Sequence, residues 1–483
     1  MSGRLARSLV FGTSAAVLVL EIMAGRLLAP YVGITLETFT GIIGTVLAGI
    51  SVGAWLGGRS ADRVDPHLLL GPLVVAAGVL ALFSPPIVHV LGPSMRAAGP
   101  VEIVTLAAGA FFLPAAALSA VTPIVVKIRL HSLDETGAVV GSFSAIGTAG
   151  AIFGTFLTGF VLVAAWPSRA VVAVVGTVVV AAGAMLWVRM RGRAVLAVSL
   201  LPAIVAGLAL GVVDGPCDRE TAYYCAAVVV DPDRPSGRTL VLDTLRHSYV
   251  DLDDPSFLEF RYARAFAGVI DTLEPGPIDV LSIGGGGFTF PRYVAAVRPG
   301  STNTVLEVDP EIVDIATGEL GLDPASLTID VGDARVLLAR RPEAAYDLVI
   351  GDAFGGLAVP WHVTTREFVA EIARRLRPDG IYLLNLIDYP PLGFARAEVA
   401  TIAAVFPHVA VLAPSDYLDG TWGGNFVVAA GFSSWDTATL EAGALSRGGT
   451  ERAITGDQLA GFVDGADILV DDHAPVDQLI SRP

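Results

Sequence analysis

The sequence predicts two parts, an α-helical transmembrane bundle of about seven spans over residues 1–213 and a doubly wound α/β domain that starts with a small β-sheet. The first observation is composition, because 53% hydrophobic and 16% charged residues are too apolar for a soluble protein of 483 residues. The second is that every long apolar stretch precedes residue 213. The third is that short apolar runs then alternate with helical segments, which is typical of a parallel sheet covered by helices.

Seven apolar stretches make up the predicted bundle, and each approaches or exceeds the roughly 20 residues that a membrane-spanning helix needs. The first is not a cleavable signal peptide, because its apolar core is long, contains Glu21 and Arg26, and is followed by further spans. We expect Glu21 to pair within the bundle and Arg26 to extend toward the membrane surface. The stretches lie at about residues 8–30, 38–58, 68–91, 101–126, 139–164, 168–188 and 194–213.

The loop charges predict the orientation of the bundle. Nine lysines and arginines fall in loops at one membrane face, whereas Arg96 and Arg169 fall in loops at the other. Positively charged loops stay in the cytoplasm, so the N-terminus should be cytoplasmic, and seven spans then place the chain after residue 214 outside it. A re-entrant stretch, such as the proline-containing 68–91, would reverse this assignment. The nine residues are Arg4, Arg7, Arg59, Arg63, Lys127, Arg129, Arg189, Arg191 and Arg193.

The two cysteines of the chain, Cys217 and Cys225, directly follow the last predicted span. A disulfide between them would persist only in an oxidising compartment, which agrees with the orientation predicted from the charges. Two unrelated small residues are the alternative, and the sequence leaves both open.

The second part of the chain is acidic. Residues 1–213 contain 12 Lys and Arg against 7 Asp and Glu, whereas residues 214–483 contain 19 against 40, a net charge of −21. Such a charge repels nucleic acid and favours cationic ligands. We divide this part into a juxtamembrane segment with the small β-sheet (214–255), the α/β domain (256–431) and a C-terminal tail (432–483).

The pattern of apolar residues predicts the elements of this part in order. Three β-type runs at 226–230, 239–242 and 248–252 form the small antiparallel sheet, and a helix follows at 255–273. Ligands of the doubly wound sheet that comes next bind beyond the carboxyl ends of its strands. Its strands are predicted at 279–283, 302–307, 327–331, 346–351, 380–386, 408–413 and 425–431, and its helices from 289 and at 310–320, 334–340, 365–376 and 393–405.

A glycine turn marks the candidate ligand site. In the stretch VLSIGGGG at 280–287, a predicted strand is followed by glycines and then by a helix. This pattern is typical of a turn whose backbone comes close to a ligand. Glu307 ends the next strand 23 residues after Gly284, where a carboxylate can accept hydrogen bonds from both hydroxyls of a ribose. The pair predicts a nucleoside site, with a tight turn and a solvated acid as the alternative. A dinucleotide fits less well, because Phe288 follows without the third glycine of GxGxxG.

Acidic residues also end the third and fourth strands, Asp333 in VGDA and Asp352 in IGDAF. With these motifs in order, the chain resembles the spermidine synthase family of polyamine aminopropyltransferases, and in particular its membrane-fused branch. The resemblance implies a Rossmann-like class I methyltransferase-type fold and covers nearly all of residues 223–431. Its further motifs are LVLD at 240–243, Phe260-Arg261-Tyr262, Tyr417 with GTWG at 420–423, and, in the membrane part, EIMAGRLLAPYVG at 21–33 and TPIVVK at 122–127.

The resemblance implies transfer of an aminopropyl group from decarboxylated S-adenosylmethionine to an amine such as putrescine. Asp352 would position and deprotonate the amine, and Tyr262 and Tyr417 would orient it. The donor is a co-substrate, so no tightly bound cofactor is expected. The expected partners are a small-molecule amine and the lipid bilayer, not nucleic acid, and a homodimer is left open. The residues implied to bind the donor are Gly284, Gly285, Gly286, Glu307, Asp333, Ala334 and His247.

The chain departs from the family where polyamine groups are held. Gly287 stands where the family has an aspartate for the amine of the donor, and Gly355 where it has a second aspartate for the acceptor. Ala263 and Arg264 replace the polar pair after the tyrosine, and Asn385 stands where a glutamine usually ends the fifth strand.

Three interpretations therefore compete. The first is an aminopropyltransferase with altered acceptor preference, the second is an S-adenosylmethionine-dependent methyltransferase, and the third is a non-catalytic extracytoplasmic domain. Asp471, Asp472 and His473 in the tail are adjacent but have no matching ligands elsewhere, so we interpret them as a surface or docking segment and expect no metal site.

Overall fold

The structure is a computed structural model, and it describes residues 1–95, 99–191, 204, 207, 215–354 and 359–481. The chain divides into two compact units, Met1–Ala227 and Val228–Pro483, so the division falls within the strand Cys225–Val230. The first unit is largely helical and the second is a mixed α/β domain, which confirms the predicted fold class.

Six helical segments of the first unit are long and apolar enough to cross a membrane. The predicted seventh stretch, 194–213, lies almost entirely outside the described residues. The third segment contains one continuous helix, Pro66–Leu91, despite its internal prolines, so the structure contradicts a re-entrant stretch there. The six segments are Gly3–Val32, Leu36–Arg63, Pro66–Met95, Pro100–Arg129, Leu133–Ala165 and Ser168–Met190.

Glycines allow the helices of this unit to pack closely. A Cβ at Gly53 would lie 2.0 Å from the carbonyl oxygen of Ala116, and a Cβ at Gly150 would lie 2.2 Å from that of Phe11. The α-helices are α1 (Gly3–Val32), α2 (Leu36–Arg63), α3 (Pro66–Leu91), α4 (Pro100–Ala107), α5 (Leu113–Ser119), α6 (Val121–Arg129), α7 (Thr136–Leu157), α8 (Val163–Ala165) and α9 (Ser168–Arg191). Short π-helical segments, Ala108–Phe112 and Thr158–Leu162, precede α5 and α8.

Arg26 of α1 binds the segment that follows the bundle. Its Nε lies 3.1 Å from Glu220 Oε1, and its Nη1 donates to the carbonyl of Ala222 at 2.6 Å. The other Glu220 oxygen accepts from the backbone N–H of Ser168 at 3.0 Å, where α9 begins. Arg26 thus has defined partners in the segment after the bundle. Among the described residues we find no ion-pair partner for Glu21, contrary to expectation.

Cys217 and Cys225 form a disulfide with Cα atoms 5.2 Å apart, which confirms this prediction. Glu220 lies inside the loop that the disulfide closes. Strand β1 (Arg219–Glu220) pairs antiparallel with the start of β2 (Cys225–Val230) within the same loop. The loop is therefore fixed both covalently and by the partners of Glu220.

The second unit contains most of the small sheet and all of the large one. The small sheet has the order β1-β2-β3-β4, with β3 (Gly237–Leu242) antiparallel to β4 (Leu245–Asp251). The large sheet is built from β5 (Asp279–Ile283), β6 (Thr302–Glu307), β7 (Thr328–Val331), β8 (Tyr346–Gly351), β9 (Leu376–Asp388), β10 (His408–Ala413), β11 (Gly424–Gly431) and β12 (Arg452–Ile454).

The order of the large sheet is β12-β10-β11-β9-β8-β5-β6-β7. Strands β5 to β9 are parallel, and β10, β11 and β12 join antiparallel. From β5 the chain first adds β6 and β7 on one side and then β8 and β9 on the other, so the sheet has a switch point between β5 and β8. Ligands bind at such a point, beyond the carboxyl ends of the strands.

Helices cover both faces of the large sheet, and apolar residues fill the space between the layers. The predicted helix at 255–273 is shorter in the structure, and the tail from 432 adds both helices and β12 to the fold. The helices are α10 (Arg261–Ile270), α11 (Thr289–Val297), α12 (Pro310–Glu319), α13 (Ala334–Leu338), α14 (Arg366–Arg375), α15 (Gly393–Ala403), α16 (Ser415–Leu418), α17 (Thr437–Leu445), α18 (Gly456–Phe462) and α19 (Val476–Leu479).

Candidate active site

The glycine turn lies at the switch point, between the ends of β5 and β8. Gly284 has φ +92°, and a Cβ there would lie 2.5 Å from the carbonyl oxygen of Asp352, so the turn requires glycine. Glu307 Oε2 accepts hydrogen bonds from the backbone N–H groups of Gly285, at 2.8 Å, and Gly286, at 3.3 Å. The turn and the acid that the sequence singled out are therefore one hydrogen-bonded unit.

Glu307 is held by backbone donors on both carboxylate oxygens. Its Oε1 accepts from the N–H of Asp309 at 2.9 Å, and the side chain is almost fully buried. Burial raises the pKa of Glu307 above its ordinary value. A carboxylate has about four acceptor sites, and the N–H groups of Gly285, Gly286 and Asp309 use three of them, so Oε1 keeps one site for a hydroxyl such as that of a ribose.

Asp352 directly follows β8 and receives two side-chain donors. The hydroxyl of Tyr262 donates to Oδ2 at 3.0 Å, and Nδ2 of Asn385 donates to Oδ1 at 2.9 Å. Asn385 is itself held by Nδ2 of Asn425 at 2.9 Å. Burial raises the pKa of Asp352 to about 6, and the two donated hydrogen bonds oppose this shift. Asp352 is thus an oriented carboxylate with a greater proton affinity than an ordinary aspartate.

A cavity of about 360 Å³ lies beside Asp352. Its walls come from β4, from the start of α10, and from the ends of β8, β9 and the start of β11. Its other charged lining residues are Arg246, Glu259 and Arg261. A larger cavity of about 580 Å³ lies between α2 and α4, but its lining is mostly apolar, and Glu37 is its one charged lining residue.

His247 is a buried imidazole beside the glycine turn. A Cβ at Gly286 would lie 2.9 Å from its Nδ1, and this nitrogen has no hydrogen-bond partner among the described residues. Burial lowers the pKa of His247 to about 4, so the ring is neutral at pH 7 and can donate or accept one hydrogen bond per nitrogen. Because Nδ1 of His247 is unpaired and lies beside Gly286, it can form a hydrogen bond with a ligand bound at the glycine turn.

Asp333 lies at the N-terminus of α13, directly before Ala334. Its Oδ1 accepts from the N–H groups of Arg335 at 2.9 Å and Val336 at 3.1 Å, which caps the helix. Its Oδ2 lies 3.0 Å from Nε2 of His362. One carboxylate oxygen is therefore occupied by the helix, and the other faces a side chain beside the parallel strands.

The C-terminal tail contacts the domain next to this position. Asp471 Oδ2 lies 2.5 Å from Nη2 of Arg335, and Oδ1 accepts from the hydroxyl of Thr365 at 2.6 Å. These contacts use both oxygens of Asp471 and join the C-terminal segment to the starts of α13 and α14.

Tyr417 is the one predicted catalytic residue that does not line the cavity beside Asp352. It lies in α16, with its ring 6.0 Å from that of Phe426 and close against Gly424. Gly424 precedes Asn425, which does line the cavity, so Tyr417 lies near its edge. Tyr262, Asp352 and His247 all line it.

Asn425 is the site residue that sequence reasoning missed. It faces Asn385 from the neighbouring antiparallel strand and extends the hydrogen-bonded chain that ends on Asp352. Its signal was present, because the apolar strands LLNLI and NFVV each contain one asparagine. The pairing of the two strands, which a single sequence does not give, was needed to bring them together.

Gly287, which stands where the family has an aspartate, is closely surrounded by β4. A Cβ at Gly287 would lie 2.7 Å from Oγ of Ser248 and 3.4 Å from the side chain of Val250, both in β4. The space of the missing side chain is thus filled by β4. Gly355 lies outside the described residues.

Residues 259–390 match the family model described as the spermine/spermidine synthase domain, which confirms the resemblance predicted from the motifs. The polyamine aminopropyltransferase of Vibrio vulnificus (strain CMCP6) is 34% identical over 151 residues, 30% of this chain and 49% of that protein. The polyamine aminopropyltransferase of Chromobacterium violaceum is 28% identical over 139 residues, 29% of this chain and 53% of that protein.

Among solved structures, the crystal structure of a probable spermidine synthase from Corynebacterium glutamicum ATCC 13032 is 28% identical to this chain, with a TM-score of 0.50. The similarity covers 55% of this chain and 98% of that one. By contrast, the chain spans about half the length of the curated relatives it matches.

Proposed function

We propose that this chain, whose residues 259–390 form a spermine/spermidine synthase domain, is a membrane-bound transferase that moves an aminopropyl group from decarboxylated S-adenosylmethionine to an amine. The observation that carries the proposal is the partly buried carboxylate of Asp352, which is oriented by Tyr262 and Asn385 beside a cavity and next to the glycine turn.

The glycine turn and Glu307 would hold the nucleoside of the donor. The two turn amides hold Oε2 of Glu307, and Oε1, which accepts the N–H of Asp309, keeps acceptor capacity for one ribose hydroxyl. Asp333 would accept a hydrogen bond from the amino group of adenine, and Ala334 would lie beside the base. The unpaired Nδ1 of His247 would contact the donor where it passes Gly286.

Asp352 would act on the acceptor amine. An amine arrives at neutral pH largely as an ammonium ion, and it must lose a proton before its lone pair can attack. Asp352 accepts that proton, the nitrogen forms a bond to the methylene beside the sulfonium, and the carbon–sulfur bond breaks with its electrons going to sulfur. Methylthioadenosine leaves as a neutral thioether and needs no proton. Tyr262 and Tyr417 would orient the amine.

The proposal is tested with full-length protein in lipid nanodiscs, given decarboxylated S-adenosylmethionine and an amine mixture, by measuring methylthioadenosine. We expect Asp352→Asn to lower the rate at least 100-fold, because general-base catalysis contributes typically 10²- to 10⁴-fold. Asp457→Asn is the matched control, since Asp457 is an exposed aspartate of α18 outside the cavity, and its rate should equal that of the native chain.

The same assay separates the alternatives. A methyltransferase would consume S-adenosylmethionine and release S-adenosylhomocysteine instead. A non-catalytic domain would release neither product while the purified protein remains folded. Either result would contradict the aminopropyl transfer proposed here.

A further inference from the structure

The charges around the cavity beside Asp352 do not match a simple diamine. Besides Asp352, the cavity is lined by one carboxylate, Glu259, and two guanidinium groups, those of Arg246 and Arg261. The wall formed by Asn385 and Asn425 is polar but uncharged. An acceptor with two ammonium groups and no negative charge would meet both arginines.

The two arginines are not equivalent. Arg261 donates to the hydroxyl of Thr450 at 3.0 Å and lies 3.4 Å from a carboxylate oxygen of Glu451, so its charge is already balanced. Arg246 forms no ion pair within the described part of the chain. Asp231 is close enough for Arg246 to help lower its pKa, but its carboxylate accepts from the hydroxyl of Tyr249 instead.

Arg246 is also held in place without an anion. Its guanidinium lies over the ring of Phe260, 5.3 Å from the ring centroid, and Phe260 lines the same cavity. Its side chain is exposed, so a ligand that enters the cavity can reach it. An oriented guanidinium with no carboxylate partner is suited to bind a carboxylate, and Glu259 provides a partner for an ammonium group in the same cavity.

We propose that the acceptor is a basic amino acid, such as ornithine or lysine, whose side-chain amine attacks the donor while its α-carboxylate binds Arg246 and its α-ammonium binds Glu259. This rests on the proposed function. The transfer is balanced as before: the side-chain nitrogen bonds to the propyl carbon, methylthioadenosine leaves with the electrons of the broken bond, and Asp352 takes the proton.

Two matched substrate pairs test the proposal, because ornithine is putrescine with one added carboxylate and lysine is cadaverine with one. Full-length protein in nanodiscs should show at least a 10-fold higher kcat/KM for each amino acid than for its diamine. Arg246→Ala should raise KM for the amino acids at least 10-fold, and Arg246→Lys should restore part of this loss. Arg238→Ala removes a half-buried arginine of β3 that lies outside the cavity, and it should keep the native preference.

The outcomes separate this inference from the proposed function. Preferential turnover of the diamines, unaffected by Arg246→Ala, would overturn the inference and leave aminopropyl transfer in place. If neither substrate class releases methylthioadenosine, the proposed function fails, and calorimetric titration of ornithine into protein saturated with methylthioadenosine decides the inference. Binding that Arg246→Ala weakens at least 10-fold supports a site for basic amino acids, and the absence of such binding rejects it.

Discussion

Asp352 combines two properties that oppose each other, a position suited to take a proton and an environment that disfavours charge. Burial raises its pKa to about 6, so the ionised form is less stable in the fold than in the unfolded chain. The stability that the neutral form provides is fully present below the ordinary value of 3.8 and is lost as the pH rises through about 6. A site that works as a base near pH 7 therefore costs the fold some stability.

The acid limb of the activity profile follows from this pKa. The proposed transfer needs ionised Asp352, so kcat/KM should fall tenfold per pH unit below about 6. Asp352→Asn should abolish this acid limb. It should also raise the free energy of unfolding by at most about 3 kcal/mol above pH 7, and it should leave that free energy unchanged at pH 4. Rate profiles and thermal shifts of the native and variant chains at pH 4 and 8 check both. If the difference in stability between Asp352→Asn and the native chain is the same at pH 4 and pH 8, the raised pKa of Asp352 is refuted.

Glu307 should determine donor affinity. Glu307→Ala removes a charged acceptor, and we expect methylthioadenosine to bind about 5- to 150-fold more weakly, or roughly 1 to 3 kcal/mol. Isothermal titration measures the change, and Asp314→Ala, at an exposed position of the following helix α12, is the matched control. The variant also leaves the turn amides without their partner, so its melting temperature without ligand must be compared. Unchanged affinity would remove Glu307 from the donor site.

The residues of the candidate site were predictable where a motif fixes their place at a strand end. Gly284, Glu307 and Asp352 meet because parallel strands end at one edge of the sheet. Asn425 was not predictable in this way, because it comes from an antiparallel strand whose register is set by tertiary pairing. The role of Arg246 depended on which other charges lie nearby, and only the folded chain shows that.

At the scale of elements, the glycine turn and β4 are fitted to each other. We expect Gly287→Asp, which would introduce the aspartate of the family, to destabilise the domain by about 1 to 3 kcal/mol, because its Cβ would meet Ser248. It should therefore bring no gain in putrescine turnover. Adding Ser248→Ala removes the atom at 2.7 Å and should recover part of the melting temperature. A stable single variant with new putrescine activity would contradict this account.

Long or strongly patterned elements were predicted well from the sequence, and short ones were not. The strands of the large sheet up to β11 lie close to their predicted positions, because each is an apolar run bounded by turn residues. Strand β12 has three residues and joins the edge of the sheet only through β10, so no local pattern marks it. The helix predicted from 255 begins instead at Arg261, since the segment before it forms turns around Asp254.

At the scale of the whole molecule, the first unit itself bears on membrane orientation. Helix α9 runs from Ser168 to Arg191, yet Glu220 binds Ser168 at the start of this helix. Glu220 also binds Arg26, near the C-terminal end of α1. At the opposite end of α1, Arg129 donates to the carbonyl of Met1 at 3.3 Å. The disulfide loop and the N-terminus thus lie at opposite ends of α1.

We accordingly expect the acidic domain to lie outside the cytoplasm. The positively charged loops are predicted at the same membrane face as the N-terminus, and the disulfide lies at the opposite end of α1. Fusions of alkaline phosphatase and of green fluorescent protein after Pro483 test this: the first should be active and the second non-fluorescent. A fluorescent fusion with no phosphatase activity would place the domain in the cytoplasm. Cys217→Ser should not reverse the result, because loop charges and not the disulfide set the orientation.

The contacts of Arg26 also impose an order on the making of this protein. The guanidinium enters with the first helix, whereas Ser168 follows 142 residues later and Glu220 follows 194 residues later. During translation the guanidinium of Arg26 therefore has no ion-pair partner in Glu220 until almost half of the chain has been made. A chain that stops short of the disulfide loop keeps that charge exposed, so membrane quality control has a chemical difference by which to tell unfinished copies from complete ones.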